Sequence, residues 1–212
     1  KNTQDVINNL DILWNSEITI TDTSSVKNHL SFKESSNIIL SHPIAGSDRS
    51  GVEAGTEGLF IGKKNVICNP FDADQFHVDR LKDFWTHALQ MRVSEMSVKE
   101  HDILFAVTSH LPHLISYALI DSIRLSSNDV HDNAGAGLKE FIRLSGSNPQ
   151  MWSEIFELNG MNLIKSLAGL QLSINNLLEL ITKSKEIPSM FSHSEMLKNE
   201  LEEIKKYKED KF

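Results

Sequence analysis

The segment NIILSHPIAGSDRSG, residues 37–51, has the pattern of a buried β-strand that ends in a loop. Residues 37–41 form a short apolar run, and Pro43 then restricts His42 to an extended conformation. Gly46 and Gly51 allow tight turning beyond it. Because open α/β sheets bind ligands at the ends of their strands, His42 is the first candidate for a functional residue.

Other strand candidates surround this segment. They lie at residues 17–21, 65–68 and 92–96. Residues 74–89, in contrast, carry apolar side chains near helical spacing. Alternation of this kind predicts an α/β layer with at least partly parallel strands.

The strand pattern disappears after residue 96. Ser97 and Glu100 fit a capping box, which predicts the start of a long helix that runs through residues 104–125. Further helices are predicted at 137–146, at 150–183 with a break near Gly160, and at 193–209.

The two patterns together predict a fold class of α/β followed by all-α, with domains at residues 1–96 and 97–212. Segments 113–125 and 161–181 of the helical part are apolar on more than one face. A surface helix normally shows a single apolar stripe. We therefore favour an interface with a second subunit over the alternative, the centre of a large helical bundle.

Composition narrows the classes of partner. The formal net charge is −8, without a block of basic residues, which argues against nucleic acid or an anionic membrane as a partner. No run of about 18 apolar residues or signal-like N-terminal stretch is found, so no membrane span is expected. The single Cys68 cannot form an internal disulfide, which favours a reducing cytoplasm. We expect Cys68 to be buried and inert.

The stretch TDTSSVK, residues 21–27, is predicted to be a second strand end that runs into a helix. Its hydroxyls and Asp22 are N-cap residue types, so plain capping is an open interpretation. If this loop meets His42 at one sheet edge, Ser25 can donate a hydrogen bond to His42 and fix its tautomer. The alternative for His42 is a histidine that merely caps a loop.

The segment SHLPH contains His110 and His113, three positions apart on one predicted helix. Pro112 lacks the N–H that would bond the carbonyl of Thr108, so a kink is expected there. Two core or interface histidines are the alternative to a cavity lining. A zinc site is disfavoured because no third ligand has matching spacing and the HExxH pattern is absent.

Arg143 is the third candidate, within LKEFIRLSGSNPQMW, residues 138–152. Apolar neighbours surround it in sequence, and a partly buried guanidinium needs an anion that matches its planar fork. A substrate carboxylate and a structural salt bridge are equally compatible with the spacing. Asn148 and Pro149 then begin the helix that carries Trp152.

Four segments, TDTSSVK, HPIAGSDRSGVEAG, EHDILFAVTSHLPHLISYAL and GAGLKEFIRLSGSNPQMW, resemble the prephenate dehydrogenase family, which includes the arogenate dehydrogenases. They occur in the family's order and approximate spacing over nearly the whole chain. The resemblance implies a Rossmann-type NAD(P)-binding domain, here its C-terminal part, followed by a helical dimerisation domain. The family's Gly-rich fingerprint is missing from this sequence. The only GxG, at Gly135 and Gly137, follows no predicted strand and lacks the third glycine, so it is not a dinucleotide-binding loop. We expect the 212-residue chain to start after the family's first βαβ units and to be inactive alone.

The resemblance also implies roles. His42 is expected to accept the proton of the substrate's ring hydroxyl, with Ser25 orienting it near the nicotinamide of NAD or NADP. Ser24 and Ser25 are the expected cofactor contacts. Residues expected at the substrate are Arg143 on a carboxylate, His110, His113, Asp48, Trp152 and Gly137. The last two approach the site from the same subunit or, as the alternative, from a partner subunit.

The expected reaction is the oxidative decarboxylation of prephenate in tyrosine biosynthesis, carried out by a cytoplasmic homodimer without a metal. Arogenate is an alternative substrate. A non-catalytic dimerisation or regulatory module of the same fold is the alternative from another class. The expected function requires that His42 and Arg143 open onto a single shared cleft.

Overall fold

A computed structural model describes residues 2–9, 18–31, 37–46, 53, 55–124 and 134–183, and the single positions 195, 198, 199 and 202. The chain divides into two compact units, Lys1–Ser166 and Leu167–Phe212. The first contains the sheet and the residues discussed below as a site. Of the second, the described part is essentially one helical segment up to Lys183.

Four strands form one sheet in the order β1-β2-β3-β4. They are β1 Ile20–Asp22, β2 Ile38–Ile44, β3 Lys64–Cys68 and β4 Arg92–Glu95. All four strand candidates are thereby confirmed. The pairs β1–β2 and β3–β4 are parallel, whereas β2–β3 is antiparallel, which agrees with a partly parallel sheet.

Strand β2 is longer than its apolar run predicted. It continues through His42 and Pro43 to Ile44, with His42 opposite Val66 of β3. The extended conformation that proline imposes on its predecessor suits this continuation, and a missing N–H is tolerated near a strand end. His42 therefore belongs to the strand itself and is held by its ladder, instead of following it.

Both faces of the sheet are covered by helices. On one face, helix α2 (Gln75–Asp83) and a following π-helical turn, Phe84–Ala88, pack Val78, Leu81 and Trp85 onto Ile39 and Ile67. On the other face, helix α1 (Asn2–Asn8) and the first helix of the second half contribute Ile7 and Phe105 to a cluster with Ile38, Leu40 and Val66. Alternate residues of β2 thus enter opposite cores, as the pleat requires.

The long central helix begins where the capping box predicted. The Ser97 hydroxyl accepts the Glu100 N–H, and the Glu100 carboxylate accepts the Ser97 N–H. Helix α3 (Val98–Phe105) passes through a π-helical turn, Ala106–His110, into α4 (Leu111–Arg124). The Leu111 N–H bonds the Ala106 carbonyl, five residues back. The irregularity expected at Pro112 is realised as this π turn directly before it.

The continuous helix Val98–Arg124 is long and apolar enough to cross a membrane by length and composition alone, with a mean hydropathy of 1.5 over its most apolar window. Helices in the core of a folded protein meet the same criteria of length and hydropathy, so these criteria alone do not indicate a membrane span. Phe105 of this helix packs in the core cluster on the sheet. The absence of a membrane partner stays a prediction.

Three more helices follow: α5 Ala136–Ser145, α6 Pro149–Leu158 and α7 Gly160–Lys183. They confirm the predicted helices, with the break before Gly160. Asn148 is the N-cap of α6, and Pro149 stands at its first position. The helix predicted at 193–209 lies almost wholly outside the described residues. Cys68 is buried and free, and burial raises the pKa of its thiol to about 11, as expected for an inert thiol.

Candidate active site

A cavity of about 950 Å³ in the first unit lies between the end of β2, the loop after β1 and helices α4 to α6. Its lining includes His42, Ser25, His113, Arg143, Met151 and Trp152. The structure thus places His42 and Arg143 on one shared cavity, as the geometric expectation required.

His42 enters the cavity from the strand. Its Nδ1 lies 2.9 Å from Nε2 of His101, and its ring lies 4.6 Å from that of Phe105. Burial, reinforced by the neighbouring His101, lowers the pKa of His42 to about 3. A histidine with this pKa is neutral near pH 7, so one ring nitrogen carries a lone pair that can accept a proton.

Behind His42 lies a buried polar pair that the motifs did not reveal. Nδ1 of His101 is 2.8 Å from the Oδ1 atom of Asp102. The Asp102 carboxylate also accepts the backbone N–H groups of Lys27 and Asn28, at 3.0 and 2.9 Å. Burial acts to raise the pKa of Asp102, but these hydrogen bonds outweigh it and the net shift is downward. Asp102 is therefore an anion.

The loop after β1 does not begin a helix, contrary to the prediction for TDTSSVK. Residues 23–31 form turns and irregular structure. The reason lies in its side-chain anchors: Asp22 accepts the Ser24 N–H, and the fully buried Lys27 donates to Asp22 and to the Ser41 carbonyl. The N–H groups of Lys27 and Asn28, which a first helical turn would orient along its axis, are taken by Asp102.

Ser24 and Ser25 face different surroundings. Ser25 lines the main cavity together with His42, but no hydrogen bond joins the two among the described residues. The Ser24 hydroxyl donates to Asp22 and lies beside a smaller cavity of about 440 Å³, which Thr23 also lines. Because no helix begins here, the interpretation of the loop's hydroxyls and Asp22 as helix N-caps is wrong; Asp22 instead accepts the Ser24 N–H within a turn.

The two histidines of SHLPH have different environments. His113 lines the cavity and stacks on Trp152, with ring centroids 3.6 Å apart and planes inclined by 19°. His110 is 1% exposed and lies outside the cavity lining. Its Nδ1 is 3.1 Å from the amide nitrogen of Asn159, and burial lowers its pKa to about 4. His110 thus has the surroundings of a core histidine.

The surroundings of Arg143 are compatible with both interpretations of its spacing, the structural ion pair and the substrate clamp. Its Nε and Nη2 atoms each lie 3.0 Å from Oε2 of Glu140, one helical turn away. The side chain is 54% exposed, so this ion pair is weak and replaceable. Because Arg143 also lines the cavity, its guanidinium is available to an anionic ligand.

Besides His110, two further predicted substrate residues are not observed in the cavity lining. Gly137 lies in the first turn of α5 and is not among the residues that line the cavity. Asp48 falls outside the described residues. Among the residues that the structure does describe, no group of three or more histidine, cysteine, aspartate or glutamate side chains could hold a metal ion.

The fold and this cavity define a mixed α/β sheet followed by helices, with a neutral histidine and an arginine at one site. Residues 1–93 match the family model "Prephenate dehydrogenase, nucleotide-binding domain". Residues 97–207 match "Prephenate dehydrogenase, dimerization domain". The chain belongs to the prephenate dehydrogenase family. This confirms the predicted family and the Rossmann-type and helical fold class.

Individual relatives agree. The chain is 28% identical to a cyclohexadienyl dehydrogenase of Zymomonas mobilis over 71% of its own length and 54% of the relative's. It is 33% identical to a prephenate dehydrogenase of Bacillus subtilis over 54% of its length and 31% of the relative's. The chain thus spans about half or less of these relatives.

Solved structures show the same fold. Prephenate dehydrogenase from Aquifex aeolicus, in complex with hydroxyphenyl propionate and NAD+, has a TM-score of 0.82 and 31% identity, covering 96% of this chain and 73% of that one. Synechocystis arogenate dehydrogenase has a TM-score of 0.75 at 22% identity, covering 95% and 76%. The second likeness concerns the fold alone.

Proposed function

We propose that the protein containing this chain is a prephenate dehydrogenase, which converts prephenate, with NAD or NADP, into 4-hydroxyphenylpyruvate and CO₂. The observation that carries the proposal is the shared cavity of His42 and Arg143, one neutral and one fixed in charge. The oxidation of an alcohol on an anionic substrate needs a proton acceptor and a cation, and this cavity offers both.

His42 is the proposed proton acceptor. The ring hydroxyl of prephenate gives its proton to the imidazole while the hydride leaves the same carbon. A nicotinamide cofactor, when bound, would supply the acceptor for that hydride. The electron pair of the bond to the ring carboxylate then enters the ring, CO₂ departs, and the proton returns from His42 to the new phenol oxygen. Departure of the hydride makes the hydroxyl strongly acidic, so a base as weak as the buried His42 suffices.

The cofactor's nicotinamide end fits the loop after β1. This loop follows the carboxyl end of a parallel strand pair, where Rossmann-type sheets bind nucleotides. Ser24 and Ser25 lie on this loop, beside the smaller and the larger cavity respectively. These hydroxyls would be the groups that hold the carboxamide of the cofactor. The chain by itself contains no Gly-rich pyrophosphate loop, so we propose that the 212 residues alone do not turn over.

The remaining residues define the substrate side of the proposal. Arg143 would exchange its exposed partner Glu140 for a substrate carboxylate. His113, stacked on Trp152, would face the pyruvyl arm. Asp48 would gate the entrance, Gly137 would approach through its backbone, and His110 would support the wall from behind.

Arogenate is the second candidate substrate, since Synechocystis arogenate dehydrogenase has a similar fold. The test is direct: the purified full-length protein is given prephenate or arogenate with NAD+ or NADP+, and formation of reduced nicotinamide is followed. Turnover with prephenate supports the proposal. Faster turnover with arogenate would mean that arogenate, and not prephenate, is the substrate. Dimerisation without any turnover would favour the non-catalytic module instead.

The organisation of the whole protein is also proposed. We place the boundary between the nucleotide-binding and helical parts at residues 96 and 97, and we infer a homodimer that forms through the helical part. A cytoplasmic location follows from a biosynthetic role that uses nicotinamide cofactors.

A further inference from the structure

The buried pair His101 and Asp102 lies behind His42 and plays no part in the roles described so far. We propose that it is a positioning device that holds His42 in the tautomer with Nδ1 protonated, so that Nε2 is free to accept the substrate's proton. The proposal rests on the function proposed above, because it assigns the orientation of that function's base.

The direction of each hydrogen bond follows from the Asp102 carboxylate. An ionised carboxylate only accepts, and Asp102 accepts from two backbone N–H groups, so its contact with His101 must be donated by Nδ1 of His101. A neutral His101 then has its lone pair on Nε2. The 2.9 Å contact with His42 must consequently be donated by Nδ1 of His42. The lone pair of neutral His42 is thereby assigned to Nε2.

The opposite arrangement is electrostatically disfavoured. It would require a doubly protonated His101 that donates from Nε2 to Nδ1 of His42. His42 would then carry its own proton on Nε2, and Nε2 could not accept the substrate's proton. The groups acting on His42 are Lys27 from the loop after β1, His101 and Asp102 from α3, and His110 from the π turn. His101 is fully buried, so a charge on it would have to be desolvated, whereas the neutral ring already satisfies the Asp102 carboxylate with one hydrogen bond.

The same chain assists when the proton arrives. An imidazolium at His42 keeps its Nδ1–H donated to His101, and the negative charge of Asp102 lies at the far side of that ring. The geometry is fixed in advance, because Phe105 packs on both rings, at 4.6 Å from His42 and 4.5 Å from His101. Asn159 further anchors Asp102 by donating to its carbonyl oxygen at 2.7 Å. Rigid support of this kind is what an oriented base requires.

Two substitutions at one position separate this role from simple packing. In His101→Asn the amide nitrogen reaches about as far as Nδ1, so the donation to Asp102 persists while His42 loses its acceptor. In His101→Gln the amide oxygen reaches about as far as Nε2 and can accept from His42. We expect kcat of the full-length protein to fall about 10²–10⁴-fold in His101→Asn, the range for loss of an oriented base or its tautomer, with KM nearly unchanged. His101→Gln should recover most of kcat.

Nitrogen NMR of His42 supplies a readout that does not depend on turnover. In the wild type we expect Nδ1 to be the protonated nitrogen, and in His101→Asn a mixture of both tautomers. A wild-type kcat in His101→Asn, or protonation at Nε2 in the wild type, overturns the proposal. So does a His101→Gln variant that melts like the wild type yet is as slow as His101→Asn. If the wild type oxidises neither prephenate nor arogenate, the proposed function fails, while the NMR result still decides the tautomer.

Discussion

Burial decides the charge of His42. The strand places it beside His101 and Phe105, where a charged imidazole would lose much of its hydration, and its pKa falls accordingly. The cost of a neutral base is weak basicity, and hydride departure compensates for this by making the hydroxyl acidic. The residue is thus suited to take a proton only when the reaction has begun.

The first prediction concerns His42 itself. In the full-length protein His42→Asn keeps a polar side chain of similar reach but removes the basic nitrogen, so kcat should fall about 10²–10⁴-fold with little change in KM. Steady-state kinetics with prephenate measures both constants. His87→Asn is the matched control, because that histidine is 78% exposed and is not among the residues that line the cavity, and it should leave both constants unchanged. Normal turnover of His42→Asn would remove the assigned base.

The second prediction separates the two interpretations of Arg143. Arg143→Gln should raise the KM for prephenate by about 10–100-fold, the loss of a charge-assisted carboxylate contact of roughly 1.5–3 kcal/mol, and should change kcat much less. Arg124→Gln is a close control, since Arg124 makes the same exposed ion pair one turn along a helix, with Asp121, away from the cavity lining. Equal effects of the two substitutions on KM would show that Arg143 is only a structural ion pair.

At this scale the sequence reveals residue types better than partners. The order of the motifs was sufficient to predict that His42, Ser25, His113 and Arg143 line one cavity. It did not reveal the contact of His42 with His101, because the two are 59 positions apart and nothing local in the sequence registers a pairing between a strand and a helix. Lys27 was missed for a similar reason: lysine is almost never fully buried, so its type argued for a surface position.

Among the secondary-structure elements, those with strong local patterns were predictable. The four strands and the capping box of α3 were found from apolar runs and side-chain types. The antiparallel pairing of β2 and β3 was not, because strand direction depends on how the connecting segment returns. The extension of β2 through Pro43 was also missed, since proline normally ends a strand and only the opposing ladder of β3 shows that it does not.

The capping box gives a prediction for α3. Ser97→Ala removes the hydroxyl that accepts the Glu100 N–H, so the free energy of unfolding should fall by about 0.5–2 kcal/mol. Urea unfolding followed by circular dichroism measures it. Ser122→Ala is the control, because that exposed hydroxyl bonds a carbonyl in mid-helix, where the change should stay within about 0.5 kcal/mol. Equal costs would mean that the cap does not determine where the helix begins.

For the whole molecule, the buried histidines couple stability to pH. Burial lowers the pKa values of His42 and His110 to about 3 and about 4, whereas in the unfolded chain histidine titrates near 6.5. Between these values the unfolded state binds more protons, so stability must fall as the pH falls below about 6.5, by up to about 1.4 kcal/mol per pH unit for each histidine.

Urea unfolding between pH 7.5 and 5 tests this coupling. His110→Asn should reduce the slope of the free energy of unfolding against pH by nearly the contribution of one histidine. This holds even if the substitution lowers the free energy of unfolding at every pH. The exposed His87 provides the control, and His87→Asn should leave the slope as in the wild type. An unchanged slope in His110→Asn would mean that this side chain is accessible to protons in the folded state.

The second unit offers an apolar stripe. Leu167, Ile174, Leu178 and Ile181 recur at helical spacing along α7, and all four are exposed. An exposed apolar stripe on a helix costs solubility unless a partner covers it. Because residues 97–207 match a dimerisation-domain model, we predict that a second copy of this chain covers the stripe. A twofold axis would bring the same stripe from both subunits into the interface.

A single charge tests that arrangement. Leu178→Glu removes roughly 1.5–3 kcal/mol of apolar burial, and a symmetric dimer contains the change twice, so its dissociation constant should rise by at least about 100-fold. Size-exclusion chromatography with light-scattering detection, over a dilution series of the full-length protein, measures the oligomeric state. The Leu178→Glu variant should be monomeric at concentrations where the wild type is dimeric. Asn176→Glu adds the same charge on the opposite side of the helix and should leave the dimer intact. If both variants dissociate alike, added charge alone explains the effect and the stripe is not the interface; if neither does, the dimer forms elsewhere.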